Sequence, residues 1–373
     1  MSNNIISNEY NPFQKWKVLA HYERMLKIQT GNFAPPVFVG LFPIQGISTK
    51  KKCGGFNCNY CISDFEETAV EASYPKDVFL SLPKFFHDWG VLSATLSGHN
   101  SDPLAYNHDT LIEFLRLWNG HHLDIGIISN GILYTDNLIE DVARNANWSG
   151  WSMNSGKSET HAKISCTKEG TFDKVVSNIV KTAEYRDKHK LKHQIGYKFL
   201  ILDKNFDEII DAVKLAKSIG INQMQIRPAE LPFDRASKID SKIVEDQMRE
   251  AMSFAVPGKF DIYGIREKFT TDFTKRVPKR CIASPLGTTW KADGDVALCC
   301  DRMWDTHIEG FSLGNFIEEG PEAIRRKWGS ADHKKMIDNI NNTLDKCIRC
   351  TYYNWHVIYE NCVNEDKLDV NLI

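Results

Sequence analysis

Seven of the ten cysteines fall into two sets whose spacing suits metal ligation. Cys53, Cys58 and Cys61 form a CxxxxCxxC group in the Gly-rich stretch KKCGGFNCNYC. Three thiolates can ligate three irons of a [4Fe–4S] cluster and leave the fourth iron open to a substrate or cosubstrate. Gly54 and Gly55 permit the tight backbone path that a cubane requires. A structural zinc with a fourth ligand from elsewhere, such as His99, would use the same three thiolates. Cys281, Cys299, Cys347 and Cys350 supply four, enough to close a cluster with no iron exposed or to saturate a tetrahedral zinc. Cys300 is an alternative to Cys299. Cys166 and Cys362 stand outside both sets; Cys166 is expected to be a small buried hydrophobe and Cys362 to be structural.

These residues need a scaffold, and the chain between about residues 36 and 230 alternates short apolar runs with longer amphipathic stretches. That is the pattern of βα units around a parallel sheet. Six strands are expected, at Val37 to Phe42, Leu92 to Ser97, Ile125 to Ser129, Trp148 to Met153, Ile195 to Leu202 and Met224 to Arg227. Helical periodicity lies between them, as in FDKVVSNIVKTAEYRDKH and in FDEIIDAVKLAKSIG, which Gly220 closes. The fold class is therefore α/β, a partial (β/α)6 TIM barrel, with reactive groups expected at the C-terminal ends of the strands. The first cysteine set follows the first strand, where an active site belongs.

After Pro232 come a polar helix over Asp240 to Ala255 and a short apolar run at Phe260 to Ile265. TTWKADGDVALCC then reads as a hairpin turning at Asp293-Gly294, with helices near Pro321 to Trp328 and Asp332 to Ile340 before CIRC. The expected organisation is an N-terminal extension at 1–35, the barrel at 36–233, a connecting helix and strand at 234–270, and a small α+β cluster-binding domain at 271–373.

With 46 basic and 48 acidic residues, nothing in the net charge of −2 pulls the chain toward nucleic acid or anionic membrane in general. No stretch approaches eighteen apolar residues, and the start lacks the features of a secretory signal. A cytoplasmic protein is expected, in which clustered cysteines point to metal rather than to disulfides.

The barrel segment resembles the radical S-adenosylmethionine (SAM) superfamily, whose usual group is CxxxCxxC after the first strand; this chain has one residue more between the first two cysteines. The resemblance implies that the open iron binds the amino and carboxylate groups of SAM, which is split to methionine and a 5'-deoxyadenosyl radical. It implies Tyr60 near the adenine. Ser97-Gly98-His99-Asn100-Ser101-Asp102-Pro103 resembles the Gly-Gly-Glu-Pro segment that holds the methionine amine, with Asp102 as the acid. Ser129-Asn130-Gly131 resembles a Thr-Asn-Gly turn, and Trp151-Ser152-Met153-Asn154, followed by SETHAKI, resembles the Ser-Leu-Asp strand, which puts Ser152 and Asn154 near the ribose. The second cysteine set, with LCCD and Leu313 to Asn315, resembles the twitch domain, a shorter relative of the SPASM domain.

Two [4Fe–4S] clusters, SAM and an electron donor such as flavodoxin or ferredoxin are thereby implied. Lys198 and Arg227 are candidates to bind an anionic group of the substrate, and Tyr197, His99 and Asp102 to exchange protons with it. About 35 residues precede the barrel, too few for a separate leader-binding domain. A small sugar, aminocyclitol or nucleotide substrate is accordingly expected, undergoing oxidation, epimerisation or rearrangement. Peptide maturation is the alternative within enzymes, and a noncatalytic zinc protein the alternative outside them.

Overall fold

A computed structural model of the chain describes residues 15–47, 49–61, 70–229, 238–264, 278–300, 311–347 and 350–364. Its strands are β1 (Phe38–Leu41), β2 (Ile44–Gln45), β3 (Ala72–Ser73), β4 (Ser93–Leu96), β5 (Asp124–Ser129), β6 (Trp148–Ser152), β7 (Gln194–Ile201), β8 (Gln223–Pro228), β9 (Asp261–Gly264), β10 (Gly287–Trp290), β11 (Asp295–Ala297) and β12 (Ser312–Asn315). All six expected strands form, as β1 and β4 to β8, and pair in parallel in that order.

The sheet is larger than those six. β9 adds in parallel to β8, and β10 adds in parallel to β1 at the opposite edge. β10 is the first arm of the expected hairpin, which turns at Gly294 with a φ of +92° and returns as antiparallel β11. The segment carrying the second cysteine set is thus built onto the barrel sheet. Among the described residues β9 and β10 do not pair, so the barrel stays open.

The period of two along each strand sorts the side chains. Val39, Leu41, Leu96, Ile127, Trp151 and Phe199 share one face, where they join the main core with Phe79, Phe86 and Phe114 of helices Lys76–Trp89 and His108–Gly120. Gly126, Trp148, Gly150, Lys198, Gln225 and Arg227 share the other. One face is covered by helices, and the other is the inner wall of the open barrel.

The two expected helices form at Thr171–Lys188 and Ile209–Ser218, the second followed by Gly220 at φ +81°. Asp240 caps Ser241–Ser253 by accepting from the amides of Lys242 and Ile243, and the later helices form at Pro321–Lys327 and Ala331–Asn342. Ile265, the end of the expected apolar run, lies outside the described residues. A second, smaller core joins Val18, Met25 and Ile28 near the start of the chain to Ile282, Leu286, Ile358 and Tyr359. It lies directly beneath the second cysteine set. No helix among the described residues is long and apolar enough to cross a membrane.

Burial pushes His161, His193 and His333 down to about 4 from the ordinary 6.5. His193 shows how a neutral ring is kept: Nδ1 donates to the Ala146 carbonyl and Nε2 accepts from Ser149 Oγ, each at 2.8 Å. In the unfolded chain these rings take protons from about pH 6.5 downward, whereas in the fold they resist until about pH 4, so stability present above 6.5 is lost as pH falls through that window. Buried Asp102, pushed up to about 6, opposes this, since a raised acid favours the fold at low pH. Burial pushes His356 down to about 4 as well and raises Asp261 and Asp295, and the more numerous histidines set the net direction. The melting temperature of the metal-free protein should fall from pH 6.5 to 4 and His193→Asn should flatten the slope; a rising profile would refute the assignment.

Candidate active site

The cysteine loop at 53–61 carries almost no regular structure of its own, so neighbouring elements must hold it. Helix Ser158–Ser165 does so from one side, its last carbonyls at Ile164 and Ser165 accepting from the amides of Asn59 (3.1 Å) and Asn57 (3.0 Å). These are carbonyls that a helix C-terminus leaves without intrahelical partners. Inside the loop, Phe56 N donates to Cys53 O and Cys61 N to Cys58 O, each at 3.3 Å.

From the other side the loop is tied to the ends of β4 and β5. Lys52 N donates to Asn100 O and Asp102 N to Lys52 O, each at 2.8 Å, while Asn130 Nδ2 donates to the Cys53 carbonyl at 2.9 Å. The Asp102 carboxylate is 3% exposed and accepts from Leu104 N (3.0 Å), Asn130 N (2.7 Å) and the Ser129 hydroxyl (3.0 Å to each oxygen). Ser129 Oγ in turn accepts from Gly131 N at 2.9 Å.

Asn154 closes the set. Its Nδ2 donates to Tyr60 Oη (2.7 Å), its Oδ1 accepts from Leu200 N (2.8 Å), and it holds φ at +54°. Asp102, Ser129, Asn130 and Asn154, which the sequence reading expects to touch a cosubstrate, hydrogen-bond within the protein in this structure. Ser152, at the end of β6 on the inner face, is half-buried. Ser97 N donates to Leu41 O, and at Gly98 an added Cβ would stand 2.0 Å from the Ser101 carbonyl oxygen, so only glycine fits that turn. His99 is buried, with Nδ1 3.0 Å from Gln45 Oε1; because Gln45 Nε2 donates to Val70 O, that oxygen must accept and Nδ1 donates.

Burial, with Asp102, Cys58 and Cys61 as negative neighbours, pushes the Cys53 thiol well up, and burial pushes Cys58 up to about 11. Thiols in such surroundings ionise readily only with a cation among them. None of the ten cysteines is in a disulfide. Among the described residues, no three His, Cys, Asp or Glu side chains converge closely enough for a single metal ion. A cubane offers its irons at separate corners, so its thiolates need not meet at a point. The three thiols of the first set fit such a body.

The inner face continues the site. The Trp148 indole lies flat against β5, β6 and β7, where a Cβ added at Gly126, Gly150 or Gly196 would fall 2.8, 2.4 or 2.7 Å from it. Lys198 Nζ stands 5.3 Å from the ring centroid, a cation–π contact. Gln225 pairs in register with Lys198 and Arg227 with Leu200, all on this face. Gln223 and Gln225 are buried, and among the described residues both polar atoms of Gln223 and Nε2 of Gln225 have no hydrogen-bond partner. Buried amides without partners imply a ligand or water that completes them. The sequence reading missed Trp148 and both glutamines, although polar and apolar residues alternate visibly in QMQIR. Tyr197 corrects the sequence reading: one residue from Lys198, it faces the helices and donates to the Ser155 carbonyl. Cys166 does so too, because it is exposed rather than buried, at the left-handed end of its helix with φ +50°.

The second set lies at the other end of the sheet. Cys281 precedes β10, and Cys299 and Cys300 follow antiparallel β11, so all three lie by the N-terminal ends of β1 and β10. Cys299 and Cys300 share a small hollow with Phe38 and Tyr352, and Cys300 Sγ is 3.2 Å from Tyr352 Oη. Burial pushes the Cys281 thiol up, with Cys347 as a lesser, like-charged neighbour. Cys350 Sγ lies 3.2 Å from His356, whose ring also meets the amide of Ile282. Five thiols from three separate segments lie in this part of the fold.

This architecture matches that of SuiB from Streptococcus suis bound to S-adenosylmethionine, with a TM-score of 0.61 at 12% identity over 86% of this chain and 72% of SuiB. It matches anSMEcpe with bound AdoMet and Cp18Cys peptide with a TM-score of 0.58 at 16% identity, over 89% of this chain and 92% of that one. This chain has the radical SAM fold. A further SuiB structure, bound to the precursor peptide SuiA, scores 0.60 at 14% identity, over 90% of this chain and 74% of that one. No protein-family model and no curated protein matches the sequence.

In this radical SAM fold Asp102→Ala should orphan the buried amides of Leu104 and Asn130, at about 1–3 kcal/mol each. Urea unfolding should register a loss of roughly 3 kcal/mol. Equal stability of variant and parent would show that the carboxylate does not hold the loop.

Proposed function

We propose that the chain is a radical SAM enzyme that removes a hydrogen atom from a polar substrate resting on the inner face of its barrel. The observation that carries this reading is the clamped loop. Three thiols from one segment stand beyond the C-terminal end of β1 in a radical SAM fold. Cys53, Cys58 and Cys61 would hold the catalytic [4Fe–4S] cluster, which, with its open iron and an electron from a donor such as flavodoxin or ferredoxin, cleaves bound SAM to methionine and the 5'-deoxyadenosyl radical.

The chain's own residues prepare the place. Asp102, Ser129 and Asn130 are positioning residues that hold the Cys53 backbone. Ser97 and Gly98 at the end of β4, Ser152 at the end of β6, and the Tyr60 ring are left to meet SAM. Lys198, Gln225 and Arg227 would bind an anionic or carbonyl-rich part of the substrate, with Trp148 as an aromatic floor. Cys281, Cys299, Cys347 and Cys350 would hold an auxiliary [4Fe–4S] cluster with no open iron, able to take an electron from the substrate radical. Its place by the N-terminal ends of the strands, away from the cysteine loop, favours electron transfer over direct contact with SAM.

A sugar, aminocyclitol or nucleotide undergoing oxidation, epimerisation or rearrangement suits a compact polar wall of this kind. A peptide is the second reading, favoured by two structures of the same fold that hold peptides. Protein reconstituted anaerobically with iron and sulfide and reduced with dithionite should convert SAM to 5'-deoxyadenosine. Cys53→Ala should abolish this, whereas Cys347→Ala should keep it and lose only the iron of the second site. Stoichiometric zinc with no deoxyadenosine formation would overturn the proposal. Deuterium transfer into deoxyadenosine from labelled sugars or peptides then separates the two substrate classes.

A further inference from the structure

The second cysteine set is accompanied by a histidine whose proton can be located from its partners. His356, on helix Tyr353–Cys362, is 2% exposed and lies above the small core that contains Ile282, Ile358 and Tyr359. Its Nδ1 accepts a hydrogen bond from the Ile282 amide at 3.1 Å, and its Nε2 lies 3.2 Å from Cys350 Sγ. A ring nitrogen that accepts carries no proton, and the neutral ring then bears its proton on the other nitrogen. A doubly protonated ring would set N–H against N–H at Ile282. The backbone therefore fixes the tautomer, and Nε2–H is aimed at the Cys350 sulfur.

Resting on the reading of Cys281, Cys299, Cys347 and Cys350 as cluster ligands, we propose that His356 is a positioning residue that donates a hydrogen bond to the Cys350 thiolate and raises the reduction potential of the auxiliary cluster. Reduction adds an electron that the cluster sulfurs partly bear, so a fixed donor stabilises the reduced state more than the oxidised one. The same ring joins Cys350 to the residue after Cys281, binding two ligand segments that are distant in sequence. It cannot ligate iron through Nε2 while that atom holds the proton. The electron sink proposed for the substrate radical is thus tuned by one side chain outside the ligand set.

The test uses full-length protein carrying Cys53→Ala, Cys58→Ala and Cys61→Ala, so that only the auxiliary cluster is loaded. Potentiometric titration followed by EPR should show His356→Phe lowering the potential by about 59 mV, a tenfold change in a one-electron equilibrium. His356→Gln, whose amide can accept from Ile282 and donate to Cys350, should recover most of the shift. An unchanged potential in His356→Phe would overturn the proposal. Pulsed EPR of the protein with native His356 and 15N-labelled histidine gives a reading that no variant's folding can obscure. A weak nitrogen coupling is expected; none at all, or one strong enough for direct ligation, would refute the hydrogen bond. Iron and sulfide analysis of Cys350→Ala separates this from failure of the ligand assignment, because full cluster content there would refute the ligand set itself.

Discussion

One buried carboxylate ties the first cysteine loop to the sheet. Asp102 has almost no access to water, and taking its charge out of solvent is costly unless donors replace the hydration shell. The amides of Leu104 and Asn130 and the Ser129 hydroxyl do so. Because those donors come from the ends of two different strands, satisfying one charge fixes both ends at once. Asn130 then carries that order to the Cys53 carbonyl. The loop that would hold the reactive cluster is positioned by polar saturation beneath it rather than by regular structure of its own.

The sheet sets the rest. Its outer face is apolar and packed by helices, and its inner face is lined with glycine, tryptophan, lysine and amides. Parallel pairing aligns the strand ends, so the loop after β1 lies at one end and the residues flanking β10 and β11 at the other. Making room for the Trp148 ring costs β5, β6 and β7 a side chain each. Glycine weakens a strand, and here it is used where a large ring must lie against backbone.

Much of this was legible in the residues. The six apolar runs became the six central strands because a strand buried on its helix-facing side needs such runs, and a period of two survives on the inner side. The hairpin at Asp293-Gly294 formed where its turn chemistry placed it. The pairing of β10 with β1 was not legible, since a contact between residues as far apart in the chain as Phe38 and Gly287 leaves no local trace. Tyr197 and Lys198 are adjacent polar residues in one strand, and only register decides which faces the pocket. Cys166 was read as a buried hydrophobe, but it falls at the left-handed end of a helix, a position open to solvent.

The sequence by itself determined the spacing of the cysteines and the order of the βα units. Cysteine spacing and hydrophobic period are local quantities, fixed by which residues follow one another. The tertiary structure alone decided which polar side chains hydrogen-bond within the protein. Asp102, Ser129, Asn130 and Asn154 carry the same functional groups whether they bind a cosubstrate or one another, and only the positions of their partners distinguish the two. The same holds for His356, whose proton is placed by an amide that lies far away along the chain and 3.1 Å away in space.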